Sequence, residues 1–196
     1  MTDRLVQQLA FLQEADKLKA VIRRNFIGDR SRRENSAEHS WHLALTASLL
    51  AEHSAQPIDL LRVLQTVLIH DLVEIDAGDT FSYAANGPGD KEAREARAAE
   101  RLFALLPADQ ADDFRVLWHA FETGSTAEGR FARVVDWLQP LLLHELTGGP
   151  VWKEHGVKKS QVVARVRGIE QDAPHLWPWV SALIDRATRE GWLVDA

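Results

Sequence analysis

The chain contains no cysteine, which removes disulfides and thiolate metal ligands and leaves nitrogen and oxygen as the only donors for a bound metal. It has no apolar run approaching the roughly 18 residues of a membrane span. Its N-terminus, MTDRLVQQLAFLQEADKLKA, is charged and helix-patterned, without the apolar centre of a signal peptide. A soluble, cytoplasmic protein with no membrane partner is the expectation. An excess of positive charge is also missing. A net charge of −6 argues against broad electrostatic binding to polymeric DNA or RNA and leaves room for a small anion held by a local basic cluster. Internal repeats and linkers rich in Gly, Pro or Ser are absent, so the 196 residues are read as one domain over 1–196.

Strand signals are nearly absent as well. Apolar residues recur mostly at three- and four-residue spacing, which predicts helices over 3–22, 36–55, 59–76, 90–106, 109–123, 127–147, 158–171 and 175–190 and an all-α fold. The β-branched stretch VLIHDLVEI competes as a short buried strand, but its unbroken extension back to Asp59, a good N-cap residue, favours a helix of about 18 residues. Apolar on nearly all sides, that helix is expected at the centre of a bundle. Asn35 followed three residues later by Glu38 resembles a capping box and puts His39 in the first turn of the next helix, facing inward with Leu43, Thr46 and Leu50.

Three titratable residues, His70, Asp71 and Glu74, interrupt the apolar segment TVLIHDLVEIDAGDT. On a helix His70 and Glu74 share a face with Val63 and Val67, while Asp71 is rotated by about 100° toward Leu64, Leu68 and Ile75. Unpaired charges on such faces are very costly. A divalent cation held by imidazole and carboxylate would compensate them together. Further ligands must come from elsewhere: His39 is an inward-facing nitrogen, and Asp136 in FARVVDWLQPLLL is another acid in an apolar helix. Taken alone, Asp136 reads as a partner of Arg133 beside a kink at Pro140, and His39 as a satisfied core residue. The interpretation rests on the four together with Glu74.

ENSAEHSW, LIHDLVEIDAGD and LWHAFETGSTAEGRFARVVDWLQP resemble, in order and spacing, the HD-domain phosphohydrolases, and most closely the small single-domain branch that includes bacterial 5′-deoxynucleotidases. The resemblance covers residues 18–147; the C-terminal helices, about 158–190, fall outside it. It implies an all-α fold and one divalent metal held by His39, His70, Asp71 and Asp136, with manganese or cobalt supporting activity and nickel, iron, zinc or magnesium as alternatives. It also implies that Glu74 assists the attacking water and that Asp79 contacts the sugar of a nucleotide. Arg24 is the match for a phosphate-orienting Arg; Asn25, followed by Phe26, stands where the branch carries a Trp. Arg33 and Ser82 are further candidate substrate contacts.

Five arginines in RRNFIGDRSRR suit a phosphate dianion, or else a solvated loop balancing Asp29 and Glu34. TFSYAANGPGDK, residues 80–91, reads as a loop that is either a lid or a connector. His42 reads as packing or as a group behind the ligands. With only His119 between the HD pair and the late Asp, a single metal is expected. The reading is a 5′-nucleotidase acting on nucleoside, and most plausibly deoxynucleoside, monophosphates. The alternatives are an alarmone-type pyrophosphohydrolase, against which Ile75 counts, and a metal-stabilised helical sensor or scaffold. Homodimerisation through the Trp-rich tail (Trp177, Trp179, Trp192) is an expectation shared with simple core packing.

Overall fold

The computed structural model describes residues 2–83 and 89–195. Its order is α1 (Asp3–Ala15), a 3₁₀ turn (Asp16–Ala20), β1 (Ile22–Phe26), β2 (Arg33–Asn35), α2 (Ser36–Leu50), α3 (Leu60–Ile69), a 3₁₀ segment (His70–Val73) and α4 (Glu74–Ala77). There follow α5 (Gly89–Phe103), α6 (Ala108–Thr123), α7 (Ala127–Thr147), α8 (Pro150–His155), α9 (Lys159–Val166), α10 (Gly168–Asp172) and α11 (Trp177–Arg189). Among the described residues the fold is all-α apart from one antiparallel hairpin, β1–β2, and an isolated bridge between Lys158 and Val194.

That hairpin corrects the helix expected to reach residue 22. The chain leaves helix at Val21, whose backbone is extended, and the alternation in VIRRNFI then sends Arg23 inward and Arg24 outward. Asn35 ends β2 and caps α2: its side chain accepts from the Glu38 amide at 2.9 Å, and the Asn35 amide donates back to Glu38 at 3.1 Å, completing the expected capping box. Asp59 likewise caps α3 through the Leu61 amide.

The helix expected over 59–76 is broken. After Ile69 the backbone tightens into a 3₁₀ turn before α4 resumes, so His70, Asp71, Leu72, Val73 and Glu74 are all buried. Such a tightening turns consecutive residues inward that a continuous α-helix would distribute around its axis. The preceding α3 is not apolar-buried all round either: Leu61 and Leu68 face solvent, while Val63, Val67 and Ile69 face inward.

Two cores flank this segment. The larger gathers α2, α3 and α7 with the C-terminal helices around Leu43, Val67, Phe131, Leu138, Trp152 and Ile184. The smaller packs α1, α5 and α6 against Ile69, Leu72 and Val73. The 70–74 segment therefore sits in the seam between them, held from both sides. Trp177, Trp179 and Trp192 pack against the larger core, so the tail is core packing, and the exposed apolar side chains lie elsewhere, notably Trp41, Leu45 and Leu49 on α2. Pro140 is accommodated inside α7, which runs unbroken from Ala127 to Thr147. No helix among the described residues is long and apolar enough to cross a membrane. Residues 84–88 of the expected lid lie outside the described residues; Thr80 to Tyr83 are within them and border a cleft.

Candidate metal centre

Three elements deliver the candidate ligands: α2 carries His39, the 3₁₀ segment carries His70 and Asp71, and α7 carries Asp136. Each imidazole is locked by its Nδ1. In His39 it lies 3.0 Å from Gln139 Oε1, and in His70 2.8 Å from the Val67 carbonyl. An amide oxygen and a carbonyl can only accept, so both Nδ1 atoms carry a proton, and in the neutral ring that a cation requires each Nε2 directs its lone pair to the same space.

There the Nε2 atoms meet carboxylates. His39 Nε2 is 3.0 Å from Asp136 Oδ1 and 3.9 Å from Asp71 Oδ2; His70 Nε2 is 3.0 Å from Asp71 Oδ1 and 3.8 Å from Asp136 Oδ1. Ligand atoms bound about 2.0–2.2 Å from one cation stand about 3 Å or a little more apart, which these separations approach. One ligand atom each from His39, His70 and Asp136 lies within 4.8 Å of the others. His70 Nε2 is sealed from water and makes no aligned hydrogen bond, although Asp71 is close. A buried nitrogen that converges with an oxygen without bonding to it is the geometry of two co-ligands.

The charge balance points the same way. Glu34, Asp71, Glu74, Asp79 and Asp136 crowd the site, and Arg23 brings a buried guanidinium to them, 2.8 Å from Asp71 and 4.0 Å from both Glu74 and Asp79. Burial, reinforced by Asp71 and Asp79, pushes Glu74 up to about 8. Burial also raises Glu34 and Asp79. Asp71 and Asp136 are held low against burial, Asp71 chiefly by His70 and Arg23 and Asp136 chiefly by His39. The residues fit a hard-to-intermediate divalent cation with nitrogen and oxygen ligands.

Glu74 stands beside this group with Oε2 accepting from Ser36 Oγ at 2.7 Å and Oε1 uncommitted apart from the distant Arg23. Behind the ligands, Gln139 donates to Glu34 at 2.6 Å and lies 3.2 Å from His42 Nδ1, so His42 is a supporting group and not a ligand. A two-lobed cleft opens on the site. Arg23, Asp79, Ser82, Asp136, Trp137 and Arg165 border both lobes.

Of the candidate substrate contacts, Asp79 and Ser82 border both lobes, and Arg24 and Asn25 border one. Arg33 is not brought to the cleft. It lies over Phe26 at 4.7 Å, donates to the Arg24 carbonyl and reaches Glu154 at 3.4 Å. Arg32 is likewise held elsewhere, paired with Glu38, so Arg23 and Arg24 are the members of the cluster that border the cleft. Asp136 faces His39 and Arg165 instead of Arg133, whose guanidinium covers Trp137 at 5.1 Å.

Sequence reasoning missed Arg23, Gln139, Ser36, Glu34 and Arg165. Strand alternation in VIRRNFI distinguishes Arg23 from Arg24, and Gln139 sits one turn after Asp136, opposite His39. Arg165 comes from the C-terminal third, where no motif marks it.

The HD-domain family model matches residues 15–177. A crystal structure of a predicted metal-dependent phosphohydrolase from Magnetospirillum magnetotacticum MS-1 is similar at 48% identity, covering 97% of this chain and 95% of that one with a TM-score of 0.92. The human 5′-deoxynucleotidase HDDC2 is 29% identical over 136 residues, 68% of this chain, and the matched stretch spans 65% of the human protein's length. The bovine protein of that name matches at 29% over 64% of its length. A Pyrococcus furiosus protein at 22% identity and a TM-score of 0.60 shares the fold. With its paired imidazoles and carboxylates in the seam of a helical bundle, the chain belongs to the HD-domain family, the metal-dependent phosphohydrolases its motifs resemble.

Proposed function

We propose that the protein removes the 5′-phosphate from nucleoside monophosphates, with deoxynucleotides preferred and with manganese or cobalt as the activating ion. The observation that carries the reading is the carboxylate of Glu74, its Oε1 uncommitted, bordering the cleft beside two locked imidazoles and two carboxylates. A metal used only to hold a core together needs no free acid next to it. The curated relatives named 5′-deoxynucleotidase support the nucleotide as substrate.

His39, His70, Asp71 and Asp136 would hold the ion, which supplies Lewis-acid polarisation of a phosphoryl oxygen and a lowered pKa for attacking water. Glu74 takes that water's proton at Oε1 while Ser36, bonded to Oε2, fixes the orientation of the carboxylate. The same carboxyl group, once protonated, donates to the leaving 5′-alkoxide. Arg23 keeps the buried acids compatible with an incoming dianion. Arg24 on one side of the cleft, and Arg165 on the other with its guanidinium 4.0 Å from Asp136, offer positive charge to the phosphate. Asp79 and Ser82 are placed by this reading against the sugar, Asp79 accepting from its hydroxyl, with Asn25 nearby.

The test is a release assay over a panel of nucleoside monophosphates with each of several divalent ions. Orthophosphate release that collapses in Glu74→Gln with metal content retained supports the reading. Pyrophosphate release from alarmone nucleotides, or no hydrolysis with any ion, overturns it. Cytoplasmic residence and a homodimer built on the exposed α2 stripe of Trp41, Leu45 and Leu49 belong to the same proposal; light scattering on wild type and Leu49→Lys checks the second.

A further inference from the structure

We propose that the less charged lobe of the cleft is a nucleobase subsite, and that the imidazole of His144 hydrogen-bonds the base there. This rests on the nucleotide reading and adds where the base goes and what reads it.

Asp136, Pro140 and His144 recur every four residues on one face of α7, and all three border this lobe. Eight residues of helix place His144 about 12 Å beyond Asp136 along the axis, which matches the reach of a nucleoside monophosphate from its phosphate to the far edge of its base. The walls around His144 are apolar and aromatic, with Phe81, Tyr83, Leu141 and Val151 among them. The other lobe is bordered by Lys91, Glu95, Glu122 and Arg133, a charged lining poorly matched to an uncharged heteroaromatic ring.

His144 is the unexplained group in this lobe. It is 4% exposed, and its ring stacks on Trp152 with centroids 3.8 Å apart and planes at 24°. Yet neither ring nitrogen has a hydrogen-bond partner among the described residues; only its backbone carbonyl accepts, from Gly148 and Gly149. With no protein partner, the ring must draw its hydrogen bonds from the lobe it borders or forgo them at a cost. A ligand in that lobe can take the place of water as its partner. Burial holds His144 far below the usual imidazole value, at about 3, so the ring is neutral and offers one donor and one acceptor. A base edge carrying either kind of atom can be met by choice of tautomer, so both purines and pyrimidines are accepted.

The test compares wild type with His144→Phe, which keeps a ring against Trp152 and removes both nitrogens. KM is measured for nucleoside 5′-monophosphates and for ribose 5-phosphate, and binding of free nucleosides is followed by calorimetry. One neutral hydrogen bond predicts a roughly three- to tenfold weakening for nucleosides and nucleotides, so that discrimination between nucleotide and ribose 5-phosphate narrows. Equal changes for both substrates, or none, overturn the proposal. Should wild type hydrolyse no phosphomonoester, the activity reading fails, while calorimetry still decides the subsite: nucleoside binding weakened by His144→Phe supports it, and absence of binding overturns it. If His144→Phe does not fold, nitrogen NMR of the wild-type His144 ring decides, since its resonances shift on adding a nucleoside and stay fixed if the lobe takes something else.

Discussion

The metal centre should compete with a proton at His70, and the competition has a calculable size. Burial alone lowers an imidazole, but Asp71, 3.0 Å from Nε2, outweighs it and, with Asp136, raises His70 to about 9 in the metal-free protein. A divalent ion needs that nitrogen neutral, so binding displaces a proton. Below pH 9 the apparent affinity should therefore fall about tenfold per pH unit, or roughly 100-fold between pH 9 and pH 7. The sign for stability is opposite. A folded value above the ordinary 6.5 means the protonated His70–Asp71 pair stabilises the metal-free fold fully below pH 6.5, and that contribution, of the order of 3 kcal/mol, is lost as pH rises through about 9. Calorimetric manganese titrations from pH 6 to 9, repeated in buffers of different ionisation enthalpy, count the released protons. Affinity independent of pH with no proton release would refute the geometry inferred for His70.

Glu74→Gln should lower kcat by about 10²- to 10⁴-fold and leave metal content unchanged by elemental analysis. Gln139→Leu severs the tie from His39 Nδ1 to Glu34 and should weaken metal binding by about 10- to 100-fold while far-UV circular dichroism stays native. Gly129→Ala drives a Cβ into the backbone carbonyl of Ala120 where α6 and α7 cross; urea unfolding should show a loss of about 1–3 kcal/mol.

Much of the site was legible because the physics of burial is local. An acid or imidazole inside an apolar run is anomalous wherever the chain goes, so His39, His70, Asp71, Glu74 and Asp136 stood out before their convergence was known. Capping chemistry is equally local, and Asn35–Glu38 formed as its spacing required. What failed depended on partners distant in the chain. Burying five consecutive residues against two cores favours a 3₁₀ turn over the α-helix that propensity supports over 70–73. The hairpin that aims Arg23 depends on pairing Ile22 with Asn35 and Phe26 with Arg33, which competes with a helical pattern that looks continuous to residue 22. Arg33 shows the limit of charge counting, since its place is set by Phe26 and Glu154. Nothing in LLLHEL reports what the ring of His144 meets.

The most direct measurement is an anomalous difference map from crystals grown with manganese or cobalt. One peak is expected within about 2.0–2.3 Å of His39 Nε2, His70 Nε2 and carboxylate oxygens of Asp71 and Asp136, with Glu74 close by and unligated. A protein that binds no ion there, or holds it among other residues with either histidine turned away, contradicts it.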